Sequence, residues 1–166
     1  MIEKSIHDLK IYKKINEKSS PQITAFSLDH HRHYVVATKM FLSKPLFGHG
    51  IKSFRNLCQT KMFRYSSANT GCSTHPHNFY IQLLAETGIF SFCLLIAIFF
   101  LLVNQFYLNI KHYVIKKNYL YSTSKLILLG WFFLIIFPFV PHGNFFNNWL
   151  SIINFIPLSF LIYEIG

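Results

Sequence analysis

The sequence predicts an all-α, polytopic integral membrane protein: a helical loop region comes first, followed by about three transmembrane helices. Two observations predict this. Half of the 166 residues are hydrophobic while the formal charge is +10, which fits neither an ordinary soluble domain nor a disordered tail. Charge and apolar sequence are also segregated, since 12 of the 16 Lys and Arg lie before residue 88 and the long apolar runs lie after it. The expected division is an outward-facing loop region over 1–88 and a membrane region over 89–166.

Each span is justified by its length. Residues 89–108 are long enough to cross a hydrocarbon core, with Asn104 and Gln105 near the far end. Residues 126–140 form a shorter run ended by Pro138 and Pro141, and residues 149–163 contain Asn154 and Pro157. These two need neighbours to cover their polar and proline-broken turns. The loop after the first span carries Lys111, Lys116, Lys117 and Lys125, whereas "PHGNFFNN" carries no Lys or Arg. The positive-inside bias therefore places 109–125 in the cytoplasm, and 1–88 with 141–148 outside. The five lysines of the first 18 residues oppose this orientation, which suggests an upstream span or a non-native start. Met1 opens a charged stretch with no apolar signal-peptide core, in which Ile2, Ile6 and Leu9 share one helical face.

The front half is organised around two helices. Residues 29–43 read as the first, with Asp29 or Ser27 available as N-cap and Pro45 closing it. A tight turn follows at Pro45, Gly48 and Gly50; a dinucleotide fingerprint would need a third glycine where Ser53 stands. The polar stretch 59–74 reads as a loop. A second helix is expected to start near 73–76, with Thr74 or His75 as cap and Pro76 in its first turn. On it Asn78, Gln82 and Glu86 recur every four residues as one polar stripe, with His77 beside the stripe in the first turn. A helix start gathers N–H groups and positive dipole, so it favours an anion and a neutral imidazole, the arrangement a general base needs. Histidines at helix starts are also common as plain surface or capping residues.

The segment "HNFYIQLLAETG" resembles the histidine motif of O-antigen ligases and the related Wzy-type polymerases and O-oligosaccharyltransferases: His77, Asn78, nine residues, Gly88. Upstream, the family's order of arginine, helix, proline and Gly-x-Gly turn followed by an aromatic is matched by Arg32, Pro45, Gly48, Gly50 and Phe54. Ser91 departs mildly from the Gly, Thr or Tyr common three residues after the motif glycine. The resemblance covers about residues 30–165. It implies a GT-C-like fold of which this chain is a C-terminal portion, since family members carry many earlier transmembrane helices and a further arginine there.

The resemblance also implies a reaction. A glycan moves from an undecaprenyl-pyrophosphate carrier to a hydroxyl on lipid A core, another glycan or a protein, with inversion and without metal or other cofactor. His77 would be the base and Arg32 the pyrophosphate ligand, because its fork makes bidentate contacts that lysine lacks. His75, Asn78, Gln82 and Glu86 would orient the base or meet sugar hydroxyls, with structural pairing favoured for Glu86; Gly48, Gly50 and Gly88 would be structural turns. The implied setting is the bacterial inner membrane, multi-pass, with the loop facing the periplasm. The expected partners are the lipid-linked glycan, its acceptor, membrane lipid and an upstream half of a split protein.

Rival readings are a non-catalytic membrane subunit or relic, and a metal site gathering His30, His31 and His33 with His75 and His77. Against the latter, His30 and His31 point to different faces of a helix and no carboxylate or CxxC spacing supports it. Nucleic-acid binding explains the basic balance but not the spans. Cys58 and Cys72 share the outward loop, where the sequence leaves their pairing open, and Cys93 is expected to pack within a span.

Overall fold

The computed structural model describes residues 27–165, so the expected amphipathic face of Ile2, Ile6 and Leu9 lies outside the described residues. Six helices follow in order: α1 Leu28–Ser43, α2 Phe54–Leu57, α3 Phe79–Thr87, α4 Ile89–Lys116, α5 Thr123–Ile135 and α6 Asn148–Ile165. Among the described residues there is no strand, as the all-α expectation required.

α1 starts at the Ser27 cap, whose hydroxyl accepts the His30 N–H at 3.3 Å. Its inward face is apolar at one end, where Val36, Ala37 and Met40 are fully buried against Phe54, Cys58, Phe63 and Ala85. One and two turns earlier on that face stand His33 and His30. The loop between α2 and α3 is closed by a disulfide between Cys58 and Cys72, whose Cα atoms are 5.3 Å apart.

The second helix begins later than the sequence suggested. Asn78, not Thr74 or His75, is the N-cap: its side-chain oxygen accepts the N–H groups of Tyr80 and Ile81 at 3.0 and 3.2 Å. Asparagine is a stronger cap than histidine, and His77 just before it takes a positive φ of 59° that no helical first turn allows. α3 is the keystone of the fold. Ala85 belongs to the core shared with α1, while Phe79, Tyr80 and Leu83 belong to a second core with Leu95, Leu102, Leu129, Phe132 and Leu161 of the last three helices and Ile136 just after α5.

α4 is the one helix among the described residues that is long and apolar enough to cross a membrane, with 28 residues and a mean hydropathy of 2.4 over its best window. It runs eight residues past the expected end at 108, because Asn109 is buried and its side chain accepts the Leu120 and Tyr121 N–H groups of the returning loop. Two shorter apolar helices stand where further spans were expected. α5 has 13 residues, about 20 Å of rise, and stops ahead of Pro138; α6 contains Pro157. Cys93 is exposed on α4 rather than packed. So are Phe90, Leu94, Phe100 and Leu101 on α4, and Trp149, Ile153 and Phe160 on α6, an apolar surface suited to lipid or to other helices.

Candidate active site

The turn that follows α1 docks on the C-terminal end of α3. Its His49 and Gly50 N–H groups donate to the Ala85 and Glu86 carbonyls at 3.2 and 2.8 Å, taking up acceptors that a helix end leaves orphaned. In return the Pro45 carbonyl accepts the Ile89 N–H at the head of α4, at 2.9 Å. The proline, the glycine turn and Gly88 are thus parts of one joint, which fixes α3 against α1.

That joint brings the inward face of α1 over the start of α3, and four histidines meet there. The His77 ring lies 4.1 Å from that of His75 and 5.5 Å from those of both His30 and His33. Three of the four are tied. His30 Nδ1 is 2.7 Å from Ser27 Oγ, and His33 Nδ1 is 2.9 Å from the Gly71 carbonyl. His75 bonds Thr74 Oγ1 at 2.8 Å and the His142 carbonyl at 3.3 Å. The half-buried His77 ring makes no hydrogen bond to the described residues. Burial, and then the fields of His75, His33 and His30, push the His77 pKa down to about 4. At neutral pH the ring is uncharged and able to accept a proton. Burial also lowers His75.

The polar stripe is hydrogen-bonded within the protein. Asn78 caps α3 and donates Nδ2 to the Pro138 carbonyl at 2.9 Å. Gln82 is fully buried with both kinds of group engaged: Nε2 donates to Glu86 Oε2 and Asn144 Oδ1 at 3.0 and 2.9 Å, and Oε1 accepts the Phe145 N–H at 3.0 Å. Glu86, also fully buried, accepts the Phe54 N–H at 2.9 Å and so holds α2 in place. These contacts are all internal, as is the bonding of His75.

Arg32 sits next to His33 in sequence but partners Asp29, at 2.8 Å, with its guanidinium 6.0 Å from the Tyr65 ring centre. Its Nε is buried without a hydrogen-bond partner. The structure therefore places His30 and His33, rather than Arg32, directly against His77. The α1 histidines were visible in the sequence only as members of a metal cluster; His31 turns away toward Tyr65, with ring centres 6.4 Å apart. Among the described residues no three His, Cys, Asp or Glu side chains are grouped to hold a metal ion. His142, 65 positions after His77, carried no signal in sequence at all.

Comparison with known proteins bears on the same residues. No curated protein and no solved structure matches this chain. A family model described as O-antigen ligase matches residues 31–96, a segment holding Arg32, the glycine turn, the disulfide loop, the His77 motif and the head of α4. Over those residues the chain is similar to the O-antigen ligase family.

Proposed function

We propose that this protein transfers a glycan from an undecaprenyl-pyrophosphate carrier to an acceptor hydroxyl at the outer face of the bacterial inner membrane, with His77 as general base. The observation that carries the reading is the uncharged His77 ring, unbonded amid three tied imidazoles, inside a segment matching the O-antigen ligase family. Pyrophosphate is already a good leaving group, so the protein's tasks are to position the reactants, deprotonate the acceptor and balance the charge that develops.

In this reading the acceptor hydroxyl gives its proton to His77 as its oxygen attacks the anomeric carbon from the face opposite the pyrophosphate, which inverts that carbon. The C–O bond to the carrier breaks, and the electron pair leaves with undecaprenyl pyrophosphate. Arg32 binds the pyrophosphate. Its present partner Asp29 is largely exposed, and such an ion pair holds by only about 0–1 kcal/mol, so a doubly charged ligand can displace it. An anion bound beside the cluster raises the His77 pKa from its low value and strengthens the base when the donor is in place. α4 spans the membrane, the basic stretch at 109–125 faces the cytoplasm, and the loop at 136–147 shares the outer side with His77. That loop reaches His77 directly, since the His142 N–H donates to the His77 carbonyl at 2.8 Å.

The test is glycan transfer in a ligase-deficient cell by the full-length protein and its His77→Ala variant. Loss of transfer from an inserted variant supports the reading. Undiminished transfer removes His77 from the chemistry.

A further inference from the structure

We propose that the loop joining α5 and α6, acting through His142, is the positioning element of the His77 base; the inference rests on the reading of His77 given above. The loop lies outside the segment that matches the O-antigen ligase family. Its grip is on the backbone. His77 is a non-glycine residue at a φ of 59°, a left-handed conformation that persists only where surrounding contacts hold it. The contact that holds it is the His142 N–H, which donates to the His77 carbonyl at 2.8 Å.

The same residue reaches the neighbouring ring. The His142 carbonyl faces His75 Nε2 at 3.3 Å. A carbonyl can only accept, so Nε2 carries the proton, and neutral His75 is left with a bare Nδ1 that accepts the Thr74 hydroxyl at 2.8 Å. The two backbone groups of one residue therefore set the main chain of the base and the tautomer of the ring 4.1 Å from it.

What keeps that stretch of backbone in place is the His142 side chain. The ring is 9% exposed and lies flat on Phe79, with centres 4.4 Å apart and planes 19° from parallel. Neither of its nitrogens has a hydrogen-bond partner of normal geometry. The ring thus works as an aromatic plate on the first residue of α3. A second latch lies two residues on, where Asn144 and the Phe145 N–H close on Gln82. The loop ties the ends of α5 and α6 to the start of α3, so the packing of the membrane helices sets where the base stands.

The experiment compares His142→Phe, His142→Ala and Asn144→Ala in the full-length protein. Formation of the Cys58–Cys72 disulfide, read by gel mobility without reductant, reports a folded outer region. His142→Phe keeps the aromatic plate and is expected to transfer at near the wild-type rate. His142→Ala is expected to lower kcat by about 10- to 100-fold with little change in donor KM, as misplacement of a reacting group does. Asn144→Ala, which leaves the plate intact, is expected to lower kcat in the same sense and carries the test if His142→Ala does not fold. Wild-type kcat in folded His142→Ala, or in Asn144→Ala when His142→Ala does not fold, overturns the proposal, as does loss of transfer in folded His142→Phe. The underlying reading fails separately: if His77→Ala transfers normally, His77 is not the base whatever the loop variants do.

Discussion

Gly48 and Gly88 each press a bare Cα against the other's strand of backbone. A β-carbon on Gly48 would stand 2.4 Å from the Glu86 carbonyl carbon, and one on Gly88 would stand 2.2 Å from the Leu46 oxygen. Both glycines also have positive φ, at 64° and 79°. The obstacles are main-chain atoms bonded across the joint, so neither can swing away as a flexible side chain would.

Gly88→Ala is accordingly expected to cost about 1–3 kcal/mol in overpacking, with about 1–2 kcal/mol more from the left-handed backbone. Gly50→Ala meets open space and bears the backbone penalty alone. Thermal unfolding of the two variants in detergent should rank Gly88→Ala well below Gly50→Ala. Equal losses would mean that close approach does not define the joint.

Glu86 is expected to act on folding rather than chemistry. Glu86→Ala strands the Phe54 N–H and one Gln82 donor in a fully buried site, at about 1–3 kcal/mol for each orphaned group. Protein level and melting temperature should fall, with the rate per folded molecule largely kept. A stable Glu86→Ala protein with abolished turnover would instead assign the carboxylate to the reaction.

Two pH dependences follow from the histidines. In the free enzyme His77 is protonated only near pH 4, so the acid limb of kcat/KM should fall there rather than near 6.5. The limb of kcat, which reports the donor complex, should lie higher, because the bound anion favours the protonated ring. For stability the sign is fixed by the lowered pKa values of His75, His77 and His142. The unfolded chain takes up protons first as pH falls below about 6.5, so stability is full above that pH and is lost on the way down toward 4. Melting temperature followed from pH 7.5 to 4.5 tests this, and a flat curve would contradict it.

Arg32→Lys should leave insertion and the disulfide intact while lowering transfer steeply, since an ammonium cannot present a fork to pyrophosphate. Relative donor affinity of wild type, Arg32→Lys and Asp29→Ala is the measurement. Tighter binding by Asp29→Ala would follow from freeing the guanidinium. Unchanged affinity in Arg32→Lys would place the pyrophosphate elsewhere.

Sequence showed what local rules govern. The α1 start at Ser27, one of the two caps the sequence offered, the turn at Pro45, Gly48 and Gly50, and the apolar head of α4 all follow from caps, punctuation and hydropathy. Local rules misplaced the start of α3, because Pro76 looked like a first-turn residue while the positive φ of His77 depends on a bond to His142 far along the chain. Spacing alone put Asn78, Gln82 and Glu86 on one stripe but could not say what the stripe faces. Its partners are Pro138, Asn144, Phe145 and Phe54, contacts made between segments distant in sequence. The same holds for His30 and His33, which reach His77 only because the glycine joint folds α1 over α3.

The most direct test of the account is single-turnover transfer by purified full-length protein, with a defined lipid-linked donor bound and an acceptor added, for wild type against His77→Ala. A base that contributes as general bases do supplies about 10²–10⁴-fold, so the account predicts a loss of that size in the chemical step with donor binding retained. Transfer by donor-loaded His77→Ala at the wild-type rate would contradict it.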